Sequence, residues 1–344
     1  MENAKIEKAP VCRIVLLTED ASDVRLIVSM METVRSAMDF TITPVARLQE
    51  ATDLIAREPQ DVALLDLRFG DARGLEGIDR FRRAAPGLPV LVLAESARDC
   101  TPALAAQHGA QDLLVKDRMD PYLLVRAVRY AAERRRFREA LRSRLDKFVH
   151  FQSVLLDLSR QDAPDLDTSF RRFCEAAATT LDVERVSIWL LDETHSTLVS
   201  ACVYTRSRHA FEKGARIQAK EYPRYFAALA ETRVVTASRA DQDPQTKELA
   251  EAYLKPLGIV SMMDVPIRLH GRLVGVLCHE HTGTPREWPL EEQDFGSSIA
   301  DMAALSLEAG DRRRAQEELR EERNFSAAVL ESTGMMVVVL DPGA

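Results

Sequence analysis

Three acids and one lysine stand where apolar runs end in the early part of the chain. Glu19 and Asp20 follow "CRIVLLT", Asp66 closes "DVALLD", and Lys116 closes "QDLLVK". A charge set against a core is costly unless something pairs with it. An adjacent acidic pair with a third acid makes sense around a hard divalent cation, and Mg2+ takes few carboxylates, some waters and phosphate oxygens. Aspartate can also act as a nucleophile and form an acyl phosphate. The four residues together fit a site where Asp66 accepts a phosphoryl group beside Mg2+. Lys116 then neutralises the arriving charge.

The elements that must position these residues are legible around them. From Cys12 to about Arg129, five apolar runs ("CRIVLLT", "FTITPVA", "DVALLDL", "PVLVLA", "QDLLVK") alternate with helix-like segments at 23–34, 48–57, 75–85, 101–108 and from Pro121. This alternation predicts a doubly wound sheet, mostly parallel. In such sheets function gathers at the carboxyl ends of the strands, where all four residues fall. Gly70 and Gly74 punctuate the loop after Asp66.

A helical stretch without Gly or Pro then runs to Pro164. Within it, Phe137, Arg144, Phe151 and Leu158 form one seven-residue seam, and Leu141, Phe148 and Leu155 a second. The heptad pattern predicts a parallel helix pair in a homodimer. From Arg126 to Lys147 there are nine Lys/Arg against three Asp/Glu. Charge on a long helix usually marks a solvated face, and it is read so here.

From about Asp165 the pattern becomes α+β. A helix at 168–181 leads into "RVSIWLLD" and "TLVSACVYT"; helical stretches near 223–231 and 248–257 flank "RVVTAS"; and "SMMDVPIRL" and "RLVGVLCHEH" join at His270-Gly271 in a hairpin-like turn. A last helix from near Glu291 carries Phe295, Ile299, Met302 and Leu305 on one face. The expectation is one antiparallel sheet flanked by helices. The tail reads as charged helix, second helix and a single strand, "MMVVVLD", as if cut off inside a third domain.

Bulk properties bound the function classes. The chain has 344 residues, 46% hydrophobic and 29% charged, which suggests about two soluble domains. A net charge of -8 argues against whole-chain binding to nucleic acid. There is no apolar run long enough for a membrane span and no signal peptide in "MENAKIEKAP". Five scattered cysteines without CxxC spacing fit free thiols in a cytoplasmic protein.

The motifs "VLLTEDASD", "VALLDLRFGDARGLEG", "PVLVLAES" and "GAQDLLVKD" resemble the receiver domain of two-component response regulators over roughly residues 11–130. The resemblance implies the flavodoxin-like five-stranded fold, with Glu19 and Asp20 as the acidic metal pair and Asp66 as the phosphoacceptor. It further implies that the Arg68 backbone carbonyl completes the Mg2+ shell, that Lys116 is the phosphoryl-binding lysine, and that a cognate histidine kinase is the partner. Two positions depart from the pattern. The hydroxyl residue at the end of the fourth strand is Ala94, and the aromatic switch residue three before the lysine is Leu113. The lost hydroxyl removes one hydrogen bond to the phosphoryl group, worth about 1.5–3 kcal/mol when the acceptor is charged.

Residues 151–309 resemble a GAF domain, a small-molecule or chromophore sensor fold, most clearly in "VPIRLHGRLVGVLCHEH". Trp189, Tyr204, Tyr222, Tyr225, Phe226 and Met263 are candidates to line its ligand cavity. In "CHEH" a strand places His279 and His281 on one face and Cys278 and Glu280 on the other, so one metal would not collect all four. The expected layout is a disordered 1–10, receiver 11–130, helical linker 131–150, GAF 151–309, signalling helix 310–325 and the truncated start of a PAS domain at 326–344. The function expected is phosphorelay signalling toward an output module, a histidine kinase or a cyclic-di-GMP enzyme, that is missing from the chain, with no catalytic output in it. Two alternatives are weighed: a receiver-like adaptor that is never phosphorylated, and a Mg-dependent phosphohydrolase. Against the latter, Arg68 stands two residues after Asp66, where a general acid would be needed.

Overall fold

The computed structural model describes residues 11–69, 74–160 and 165–333, which fall into two compact units dividing at Leu145 and Asp146. The expected disordered N-terminus, Gly70 and the strand "MMVVVLD" lie outside the described residues.

In the first unit, β1 (Cys12–Leu17), β2 (Phe40–Val45), β3 (Val62–Asp66), β4 (Val90–Ala94) and β5 (Asp112–Val115) form a parallel sheet in the order β2-β1-β3-β4-β5. Strands β3 and β4 are buried along their whole length, which is why they read as unbroken apolar runs rather than alternating ones. Helices α1 (Ala21–Thr33), α2 (Leu48–Arg57), α3 (Leu75–Ala84), α4 (Pro102–Gln107) and α5 (Pro121–Arg160) follow the strands in turn. One core layer holds Ile14, Leu16 and Leu64 with Ile27 and Val128; the other holds Val15, Leu17 and Leu65 with Ile78 and Phe81. Asp20 caps α1 and Thr101 caps α4, each accepting a backbone N–H, and Pro102 sits at the start of α4 where its missing N–H costs nothing.

The second unit holds an antiparallel sheet of β6 (Arg185–Leu191), β7 (Thr197–Thr205), β8 (Ala210–Glu212), β9 (Arg216–Gln218), β10 (Val235–Ala237), β11 (Ile259–Leu269) and β12 (Arg272–Thr282). The strand path is β10-β11-β12-β6-β7-β8, with β9 also paired to β7. The three-residue β8 and β9 have no counterpart among the apolar runs, because so short a strand carries no periodicity. The β11–β12 hairpin turns on His270 (φ 51°) and Gly271 (φ 80°), the paired positive φ of a type I′ turn. Helices α6 (Leu166–Leu181) and α9 (Leu290–Thr333) cover one face of the sheet. The other carries α7 (Pro223–Glu231), and irregular turns over 247–254 run into α8 (Lys255–Leu257), where a single helix was expected. The expected signalling helix is the continuation of α9.

The heptad seams divide. Phe151 is 6% exposed and stacks on Phe295 at 4.7 Å, with Leu155 and Leu158 beside it in the second unit's core, whereas Phe137, Leu141 and Phe148 stay exposed. Tight packing at the sheet centre is tested by Gly275, where an added Cβ would meet the Trp189 carbonyl at 2.3 Å. Gly275→Ala is expected to destabilise the second unit by about 1–3 kcal/mol. Denaturation followed by tryptophan fluorescence reads this unit alone, since both tryptophans, Trp189 and Trp288, lie in it; an unchanged midpoint would contradict the packing.

Candidate functional site

The parallel register brings the site together. Leu17 aligns with Leu65, Asp66 with Leu93, and Ala94 with Val115, so Asp66 and Lys116 emerge at one edge of the sheet. Lys116 Nζ lies 2.6 Å from Asp66 Oδ2 and 2.5 Å from Asp23 Oδ2. All three side chains are less than one-tenth exposed. The Arg68 backbone N–H donates to the other oxygen, Asp66 Oδ1, at 2.9 Å. Thr18 Oγ1 donates to Asp23 Oδ2 at 3.4 Å. Glu95, directly after Ala94, pairs with the Arg68 guanidinium and stands 3.6 Å from Lys116 Nζ.

Burial opposes the charge on Asp66, but hydrogen bonds with Asp23, Lys116 and the Arg68 N–H outweigh it and hold its carboxyl below the ordinary range. Asp23 moves the opposite way, raised by burial and by the hydrogen bond it shares with Asp66. Burial also opposes the charge on Lys116, yet the bonds to Asp23 and Asp66 win and raise its pKa, so the ammonium is kept. The group with one oxygen on a backbone donor and the other on a buried cation is Asp66. It is the nucleophile this arrangement can offer.

Glu19 and Asp20 are exposed. Asp20 Oδ1 accepts from Ser22 N at 2.7 Å and Ser22 Oγ at 2.6 Å, bonds that lower its pKa, with a further contribution from Lys116 and Arg68. Among the described residues no three acids, histidines or cysteines are gathered as a metal shell. The donor set still suits Mg2+ in kind: hard carboxylates at one strand edge, with both Ser22 bonds falling on a single oxygen of Asp20. Ala94 is fully buried, and Leu113 is half-buried against the core layer of Phe81 and Val92. Sequence reading missed Asp23 and Glu95. Their signal was position: Asp23 lies one helical turn beyond the cap Asp20, and Glu95 is the first residue past β4.

The second unit holds a small cavity on the face of β6, β11 and β12 that also carries α7. Its volume is about 10 Å3, room for at most one water, among Trp189, Ile217, Tyr225, Tyr253, Cys278 and Glu280. Trp189 and Tyr225 therefore line it, and Tyr222 and Phe226 pack in the same apolar cluster. Tyr204 and Met263 do not: both belong to the opposite face, which meets α6 and α9. The reason is the two-residue period of a strand, which puts Met262 in the cavity wall and Met263 behind it. Tyr204 instead packs on Phe211, and its hydroxyl lies 3.2 Å from His209 Nδ1.

Buried charges surround this cavity. Tyr253 Oη donates to Glu280 Oε1 at 2.5 Å, Arg185 lies 3.0 Å from Glu280 Oε2, and Tyr225 Oη donates to Asp264 Oδ2 at 2.6 Å. Asp264 Oδ1 has no partner among the described residues. Burial, aided by Glu280 and opposed by the Tyr225 bond, pushes Asp264 up to about 7. Burial likewise raises Glu280. On the opposite face His279 Nδ1 donates to Met263 O at 2.9 Å, and burial drops its pKa to about 4. Arg185, Asp264 and Tyr253 were not picked out in the sequence, although a lone acid inside "SMMDVP" was a visible irregularity.

Asp264 is expected to make the second unit less stable as pH rises from about 4 to about 7, because the unfolded chain ionises there while the fold keeps the proton. His279 acts in the reverse sense, costing stability as pH falls from 6.5 to about 4. The difference between wild type and Asp264→Asn isolates the first effect. It should grow across this window in favour of the variant, by on the order of 3–4 kcal/mol at most. Urea titrations read by tryptophan fluorescence measure it, and a flat difference curve would refute the buried acid.

Comparison with known proteins identifies a family for each unit. Residues 15–129 match the response regulator receiver domain family, and residues 165–307 match the GAF domain family. The first part is similar to Response regulator protein PilR of Pseudomonas aeruginosa, 30% identical over 101 residues, and to Regulatory protein LuxO of Vibrio cholerae, 28% identical over 94 residues. These matches cover 29% and 27% of this chain, which spans only about a fifth of the length of either relative (22% and 21%). Among solved structures, the GAF domain of a phosphoenolpyruvate-protein phosphotransferase from Coxiella burnetii is similar at 16% identity and TM-score 0.42, covering 49% of this chain and 98% of that one. The chain thus contains a response regulator receiver domain followed by a GAF domain.

Proposed function

We propose that this protein is a two-component signalling protein in which Asp66 accepts a phosphoryl group from a partner histidine kinase. The observation that carries the reading is the setting of Asp66: buried, ionised, one oxygen on the Arg68 N–H and the other 2.6 Å from Lys116. An Asp66 oxygen attacks phosphorus, the phosphorus–nitrogen bond of the donor phosphohistidine breaks, and the histidine nitrogen leaves with its electron pair. Lys116 then has a phosphoryl oxygen to pair with, freeing it from holding Asp66 and Asp23 together. Mg2+ would be held by Asp20, Asp66 and the Arg68 carbonyl, with Glu19 beside them, and when bound it supplies charge neutralisation for the phosphoryl oxygens.

The GAF domain is the proposed sensory and dimerisation module, in a cytoplasmic protein. No helix among the described residues is long and apolar enough to cross a membrane. Phe137 is 71% exposed, and Leu141 and Phe148 are also open to solvent on α5, which suits pairing with a second copy. The state of both domains passes toward an output module, a histidine kinase or cyclic-di-GMP enzyme.

A second reading, an adaptor that is never phosphorylated, is favoured by three residues: Ala94 offers no hydroxyl, Leu113 no aromatic ring, and Glu95 binds the cations a phosphoryl group would use. Intact-mass analysis after incubation with acetyl phosphate and Mg2+ separates the two. One phosphoryl adduct, absent in Asp66→Asn, is expected; no adduct in the wild type would leave the adaptor. For the dimer, sedimentation should show a two-chain species that Leu141→Glu with Phe148→Glu converts to monomer.

A further inference from the structure

A second concavity lies in the receiver unit at the end of the sheet opposite Asp66, where β4 and β5 begin. It encloses about 650 Å3, within the range of small-molecule sites. Gly87, Leu88, Ala106 and Ala110 are among the residues that line it. Its walls carry five arginines and one glutamate. Arg134, Arg138 and Arg142 follow one another at four-residue spacing on α5, so they share one face over roughly 12 Å of helix axis. Arg82 reaches across from α3 and lies against the bare backbone of Gly109, where a Cβ would meet its guanidinium at 1.6 Å.

A solvated helix face would normally mix signs. Here the acids are already engaged: Glu139 holds Arg135 at 2.7 Å, and Glu133 lies 3.9 Å from Arg129. Like charges four residues apart repel, and Glu139, the acid in this wall, is paired with Arg135.

We propose that this basin binds a small molecule carrying two or more phosphates, with Arg82, Arg134, Arg138 and Arg142 meeting its charge. Guanidinium groups suit phosphate because their planar forks donate in pairs. The size of the basin favours a nucleotide-sized ligand over an extended polymer.

The test is equilibrium binding of tripolyphosphate, ATP and GTP to the full chain, without Mg2+, at two salt concentrations. Saturable one-to-one binding that weakens with salt is expected. Arg134→Glu with Arg138→Glu should weaken it at least tenfold, while Arg126→Glu, exposed on the same helix but outside the basin, should leave it unchanged. Arg82→Glu, on the opposite wall, should also weaken it about tenfold. The proposal is overturned by no binding at millimolar probe, or by equal losses in Arg126→Glu. It is also overturned if Arg82→Glu retains full affinity, which would put the binding on the α5 face rather than in the basin. Binding of heparin or single-stranded nucleic acid but not of the three phosphates would likewise overturn it in favour of a macromolecular surface.

Discussion

Lys116 is the constraint around which the receiver unit is arranged. A primary amine this deeply buried would lose its proton without opposing charge, and the fold brings it two carboxylates from separate elements, Asp66 ending β3 and Asp23 opening α1. The link is reciprocal, since the same ammonium is what permits two acids to lie so close together. Parallel pairing of β1, β3, β4 and β5 makes this possible, because in-register strands all release their following residues at one edge. Displacing β5 by a single residue would turn Lys116 to the other face and leave the acids unmatched.

That arrangement is balanced, and it is open to change. Asp66 and Asp23 divide one cation between them, while Glu95 and Arg68 form a second ion pair alongside. An added dianionic group would compete for both cations at once. The usual hydroxyl and aromatic ring are absent, so a redistribution of charge among Lys116, Arg68, Glu95 and Asp23 is the local change this site can offer to the rest of the domain.

The five-stranded sheet was legible because buried parallel strands leave unbroken apolar runs, and Asp66 and Lys116 because each closes one. Asp23 was hidden by its surroundings: on a helix beside Asp20 it reads as one more exposed acid, and only folding shows it turned inward. In the second unit the long β11–β12 hairpin showed through its alternation and its His270-Gly271 turn, whereas β8 and β9 were too short to leave a pattern. Period alone told Met262 from Met263, but the register that decides which of them faces the cavity is a property of the whole sheet. The heptads of α5 combined two different burials, one made inside the second unit by Phe151 and the other left open at Phe137 and Leu141.

The cavity beside Glu280 also has a kinetic meaning. A space for one water, walled by Trp189, Tyr225 and Tyr253, is too small to hold a larger molecule in the fold as it stands. A guest that enters only once these walls have moved apart has its arrival timed by the protein rather than by collision. Its observed association rate would then level off with increasing concentration, at a ceiling equal to the opening rate. Its apparent affinity would be reduced by the small fraction of time the domain spends open.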